Sequence, residues 1–77
     1  MGILVDKKEA KATDVWFNND MLFVRLSDGR EVGAPIAWFP RLKNASDTQR
    51  KNWRFVGNGI GIHWQDIDED ISVGGLL

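Results

Sequence analysis

The sequence predicts an α+β fold, a small antiparallel sheet of about five strands with one short helix between the third and fourth strands. Short β-prone runs alternate with Asn, Asp and Gly turn residues, a pattern that is typical of hairpins. A helix-capping sequence occurs at residues 46–49. The 77 residues are enough for a single domain, 1–77, and contain no cysteine that could form a disulfide.

The first three strands are predicted after ten N-terminal residues, 1–10, which have no clear period and are expected to fray. Two apolar runs, 15–17 and 21–26, enclose an Asn-Asn-Asp turn. The Asp-Gly pair that follows predicts a second hairpin turn, because Gly29 has no Cβ and adopts positive φ without a clash. Pro35 is expected to end the third strand, since proline has no N–H for the ladder.

The helix is predicted from Asp47 to about Trp53, because Ser46 and Gln49 match a capping box. A fourth strand follows, an Asn-Gly pair turns the chain, and the return strand covers residues 60–64. Two tryptophans on strands, at positions 16 and 64, are expected in the core.

The glycine-rich stretch 57–61, GNGIG, superficially matches a phosphate-binding loop. Such a loop opens a helix whose N-terminus holds the phosphate, whereas β-prone residues continue past these glycines. No Gly-Lys-Ser or Gly-Lys-Thr sequence occurs. The stretch therefore predicts a hairpin turn.

Three acids, Asp66, Asp68 and Asp70, have the spacing of the start of a calcium loop. An EF-hand needs Gly at its sixth position and Glu at its twelfth, where this chain has Ile71 and Leu77. The acids are interpreted as a polar sheet edge, and no metal or other cofactor is predicted.

His63 is the one histidine of the chain. Paired with Asp66 or Asp68 it would give an acid–base pair for a small enzyme, with Ser72 as a nearby nucleophile. A catalytic metal usually needs three protein ligands, and a catalytic triad needs a base that a third group orients. The spacing of residues around His63 indicates neither a metal site nor a triad. A histidine hydrogen-bonded to a neighbouring carboxylate for structural reasons is favoured, and no enzyme activity is predicted.

The net charge is −1, but the charges are unevenly distributed. Residues 25–54 contain seven basic and three acidic residues, whereas residues 55–77 contain four acids and no lysine or arginine. Within this range Trp38 and Trp53 flank a basic segment that consists of Arg41, Lys43, Arg50, Lys51 and Arg54. Aromatic residues beside arginines occur in single-stranded nucleic-acid sites, in protein–protein hot spots and in ordinary cores. No apolar stretch is long enough for a signal peptide core or a membrane span, so a cytoplasmic protein with no membrane partner is predicted.

Several short motifs together resemble one bacterial family of small proteins over roughly residues 10–77. The motifs are Trp38-Phe39-Pro40-Arg41-Leu42, Gly57-Asn58-Gly59, Ile62-His63-Trp64, and Asp68-Glu69-Asp70-Ile71-Ser72-Val73. The family is catalogued as domain of unknown function two-four-four-two. Gln65 departs from it where many members have proline, and Gly74 departs where an acid is common.

The resemblance implies a small α+β domain whose genes sometimes lie beside a second small gene, as in a toxin–antitoxin pair. Related domains also precede a helix-turn-helix in regulator-like proteins. No catalytic residue is implied. We therefore expect a non-catalytic protein-interaction module, an antitoxin-like partner of a small neighbouring protein, with nucleic-acid binding through residues 41–54 as the alternative and self-association left open. The candidate interaction residues are Trp38, Arg41, Arg54, His63, Trp64, Asp68 and Asp70.

Overall fold

The computed structural model describes residues 11–77, which form two three-stranded antiparallel sheets and two short helices. The first sheet has the order β1-β2-β3, with β1 at Ala12–Phe17, β2 at Met21–Leu26 and β3 at Glu31–Pro35. The helices α1, Pro40–Lys43, and α2, Asp47–Lys51, follow β3 in the chain. The second sheet has the order β4-β5-β6, with β4 at Trp53–Val56, β5 at Gly61–Trp64 and β6 at Glu69–Ser72. The expectation that residues 1–10 fray lies outside the described residues.

The α+β class is confirmed, but the prediction of one five-stranded sheet with a single helix is wrong. Pairing of β3 ends at Pro35, which has no N–H to continue a ladder. A 3-10 turn at Ile36–Trp38 and both helices then separate β3 from β4 in the chain. The later strands pair only with one another, because each is joined to the next by a short turn.

Polar side chains hold the β1–β2 turn of the first sheet. The amide of Asn18 donates to the carbonyl of Met21 at 3.0 Å. The Oδ1 atom of Asn18 accepts from the amides of Asp20 and Met21 at 2.9 and 2.7 Å. In the β2–β3 turn Gly29 has a φ of 93°, so the predicted need for glycine is confirmed.

The capping box of α2 is confirmed, with Gln49 N donating to Ser46 Oγ at 3.1 Å and Ser46 N donating to Gln49 Oε1 at 2.9 Å. The helix ends at Lys51, earlier than predicted, because Trp53 already belongs to β4. The helix α1 begins with Pro40 in its first turn, where a missing N–H costs nothing.

The turn between β4 and β5 is a 3-10 turn at Gly57–Gly59, and β5 begins at Gly61 rather than at the predicted residue 60. Gly59 has a φ of 100° and lies against the start of β1. A Cβ atom there would come within 2.5 Å of the Ala12 carbonyl oxygen. This position therefore requires glycine for both its conformation and its contact.

Both sheets and α1 contribute side chains to one hydrophobic core. Its most deeply buried members are Leu22, Val24, Leu26, Leu42, Ile62, Trp64 and Val73. The core position predicted for Trp64 is confirmed. The one predicted for Trp16 is wrong, since its half-buried ring stacks on Phe23 across the outer face of the first sheet at 5.8 Å.

Replacing Leu42 with alanine should lower the free energy of unfolding by about 2–5 kcal/mol, because a fully buried leucine leaves a cavity when truncated. Urea unfolding followed by tryptophan fluorescence measures this loss. Trp38→Ala is the matched control, because Trp38 is 69% exposed, and it should change stability by less than about 0.5 kcal/mol. A smaller loss for Leu42→Ala than for Trp38→Ala would contradict this placement of the core.

The pKa of Asp28 should lie below its ordinary value of 3.8, mainly because the Arg30 amide donates to Oδ1 at 3.0 Å. The Arg30 guanidinium adds a hydrogen bond to Oδ2 at 2.8 Å. A lowered folded-state pKa gives stability that is complete above 3.8 and is lost as pH falls through the lowered value. Carboxyl NMR titration measures it. Arg30→Ala should raise the pKa only part of the way, since the backbone amide remains, and a full return to 3.8 would contradict this account.

Candidate functional site

The outer face of the second sheet brings together three of the candidate residues. Arg54 on β4 lies opposite His63 on β5, and His63 lies opposite Asp70 on β6. Side chains alternate between the two faces of a sheet, so the neighbouring residues Ile62 and Ile71 point to the core. Strand register thus aligns residues far apart in sequence in one row across three strands.

The centre of this row is a hydrogen bond of 2.7 Å between His63 Nδ1 and Asp70 Oδ1. The histidine side chain is 18% exposed, whereas that of Asp70 is 72% exposed. The histidine is thus hydrogen-bonded to a neighbouring carboxylate, and the carboxylate is that of its register partner Asp70 rather than Asp66 or Asp68, the acids considered for an acid–base pair. Asp66 instead accepts from Asn52 Nδ2 at 3.0 Å. Within residues 11–77 no hydroxyl group bonds to His63.

Two apolar side chains extend this face beyond the charged row. Val56 is 46% exposed and Ile60 is 54% exposed. They border a shallow depression of about 330 Å³, which Asp70 and Ser72 also line. We call Arg54, Val56, Ile60, His63 and Asp70 the sheet-2 face. It combines a cation, a hydrogen-bonded dyad and an exposed apolar end.

The remaining candidates lie elsewhere. Arg41 on α1 donates from Nη1 to the carbonyl of Asp68. Asp68 lies in the turn between β5 and β6 and has a φ of 52°. Trp38 stands exposed in the turn before α1. Trp64 is fully buried, because the alternation of its strand points the indole into the core, and so it lies apart from the exposed outer face of the sheet.

The basic segment is partly committed to internal contacts. The guanidinium of Arg50 donates to the carbonyls of Leu42 and Lys43 at 2.9 and 3.1 Å, at the C-terminal end of α1. Lys43, Lys51 and Arg54 remain exposed, each on a different element. Three of the five basic residues of this segment therefore have side chains that bond to no other group of residues 11–77.

A groove that the sequence reasoning missed lies between the end of β1 and the α2–β4 region. It has a volume of about 440 Å³. Its lining consists of Val15, Trp16, Phe17, Asn18, Asn19, Asp47, Arg50, Lys51 and Trp53. The local sequence carries no signal for it, because its two walls are some thirty positions apart in the chain.

The described part of the chain contains no group of three or more His, Asp or Glu side chains arranged to hold a metal ion. None of its helices has the length and apolar character needed to cross a membrane.

These elements define a small α+β domain of two antiparallel sheets around a shared core. The chain belongs to the family described as "Protein of unknown function (DUF2442)", whose sequence model matches residues 12–77, and the resemblance noted in the sequence is thereby confirmed. Its structure is similar to the crystal structure, at 2.75 Å resolution, of a protein of unknown function from Rhodospirillum rubrum ATCC 11170. The two share 30% identity and a TM-score of 0.76, over 88% of this chain and 84% of that one. Comparison with curated proteins finds no match.

A double-mutant cycle of His63→Gln and Asp70→Asn should give a coupling energy below about 1 kcal/mol, because Asp70 is largely exposed to water. Urea unfolding of the two single variants and the double variant measures this coupling. A cycle of His63→Gln with Asp66→Asn is the control, and it should be additive within about 0.5 kcal/mol. Coupling of about 3 kcal/mol for the His63–Asp70 pair would contradict its description as a surface pair.

Proposed function

We propose that this chain is a non-catalytic protein-interaction module, an antitoxin-like partner of a small protein, and that it binds this partner through the sheet-2 face. The observation that carries the proposal is the register that aligns Arg54, His63 and Asp70 beside the exposed Val56 and Ile60. Protein interfaces commonly combine an apolar centre with charged groups that fix orientation.

The polar groups of this face are arranged for recognition. Arg54 makes no side-chain hydrogen bond or ion pair to another of residues 11–77, so its guanidinium is available to a carboxylate of a partner. Asp70 holds His63 through one oxygen and keeps most of its side chain exposed to water. A complementary surface would place an acid opposite Arg54 and apolar side chains opposite Val56 and Ile60.

The antitoxin-like role is supported by the gene arrangement that the family resemblance implies. An antitoxin must distinguish its own toxin from related ones, and a row of fixed charges gives such specificity because a wrong partner meets like charges. The sheet-2 face holds its charges on paired strands rather than on loops. This rigidity lowers the entropy cost of binding.

Nucleic-acid binding is the alternative function, and it would use the exposed Lys43, Lys51 and Arg54. Its signature is a steep loss of affinity with added salt, because phosphate contacts release counterions. Two results together would favour nucleic-acid binding over the interaction proposal. The chain would shift the mobility of labelled DNA or RNA at low salt, and the Arg54→Glu variant would still bind the protein partner.

Co-expression of the chain with the product of the adjacent gene should give a complex that co-purifies and rescues growth. Arg54→Glu should weaken this complex about tenfold or more, because it reverses the charge of the one cation on the face. Lys43→Glu is the matched control, since it makes the same charge change on α1, and it should leave affinity unchanged. Titration calorimetry measures both. Equal effects of the two variants, or no complex at all, would overturn the proposal.

A further inference from the structure

The groove of about 440 Å³ lies beside β1 and β4, each of which pairs with only one other strand of residues 11–77. In the described part of the chain, β1 is one of the two edge strands of the first sheet, and β4 is one of the two edge strands of the second. The groove has the end of β1 as one wall and α2 with Trp53 as the other. An unpaired strand edge beside a groove is the geometry in which an extended peptide adds to a sheet.

The backbone of Phe17 supplies free hydrogen-bonding groups at this edge. The amide of Asn18 donates to the Met21 carbonyl and the Met21 amide donates to Asn18 Oδ1, so these two residues occupy the position of a hydrogen-bonded pair at the end of the ladder. Such pairs alternate with non-hydrogen-bonded pairs along an antiparallel ladder, and the next pair is Phe17 with Leu22. The N–H and C=O of Phe17 therefore point away from β2, and no other group of residues 11–77 bonds to them.

The side chains of the groove indicate the chemistry of the occupant. Two cations line it, but the Arg50 guanidinium is held by carbonyls of α1. Lys51 is exposed, and its ammonium has no acceptor among the described residues. Trp16 and Trp53 add aromatic surface on the two walls. The groove thus offers one available cation and two indole rings in its lining.

We propose that this groove binds an extended acidic peptide segment of a protein partner, which pairs with Phe17 as an added strand and places a carboxylate on Lys51. Single-stranded nucleic acid fits less well, because its successive phosphates need several cations and only one of the two cations in the lining is available. This site is separate from the sheet-2 face, and its occupation does not depend on what that face binds.

The probe is a displayed library of short random peptides, selected against the folded chain and sequenced. The expected result is enrichment of alternating sequences with Asp or Glu. Lys51→Glu should weaken a selected peptide about tenfold, because attraction becomes repulsion, whereas Lys43→Glu outside the groove should not. Arg54→Glu should also have no effect, which separates this site from the one under Proposed function.

Backbone pairing has its own measurement. Binding of the synthetic form of the selected peptide should slow hydrogen exchange at the Phe17 amide and leave the β6 amides unchanged. N-methylation of the peptide residue opposite Phe17 should weaken binding about tenfold, because it removes a hydrogen-bond donor. N-methylation of its neighbour, which points away from β1, should be tolerated.

Four results would overturn the inference. These are failure to enrich acidic peptides, an equal effect of Lys51→Glu and Lys43→Glu, and unchanged exchange at Phe17. The fourth is displacement of the peptide by a competitor. Displacement by oligothymidine would assign the groove to a nucleic acid, and displacement by self-association of the chain would assign it to a second copy.

Discussion

The buried indole of Trp64 is the contact on which the rest of the molecule depends. It lies on β5 with no exposed surface, and its ring meets Phe17 of the first sheet edge-on at 6.4 Å. Its Nε1 donates to the Arg50 carbonyl at 2.9 Å, which ties the second sheet to α2. The Arg50 guanidinium in turn binds carbonyls of α1. One side chain therefore connects two sheets that share no hydrogen-bonded ladder.

The two candidate binding surfaces of the domain, the sheet-2 face and the groove beside β1, are formed in different ways. The sheet-2 face is made of outward side chains on paired strands, so its geometry follows from register. The groove beside β1 is made where the two sheets fail to pair, so its geometry follows from the packing that Trp64 and Phe17 impose. Within residues 11–77 no hydrogen-bonded ladder joins the two sheets, so the backbone of Phe17 at the junction keeps unpaired groups.

Local chemistry explains which features the sequence could predict. The capping box of α2 and the glycine turn at Gly29 are set by residues within four positions of one another, and both are confirmed. The division into two sheets depends on which distant strands meet, and a hydrophobic pattern does not specify this. The sequence could not show that His63 pairs with Asp70 rather than with Asp66 or Asp68. The partner depends on which residues of β5 and β6 lie opposite each other, and this register is seen only in the structure.

Gly59 has a consequence for how variation in this family is interpreted. It belongs to a surface turn, yet a side chain there would collide with the Ala12 carbonyl at the start of β1. A mutational scan would therefore report it as intolerant, and such intolerance in a loop is readily mistaken for a ligand contact. If Gly59 is invariant, the reason would instead be the close packing of the β4–β5 turn on the start of β1, which folding requires and ligand binding does not.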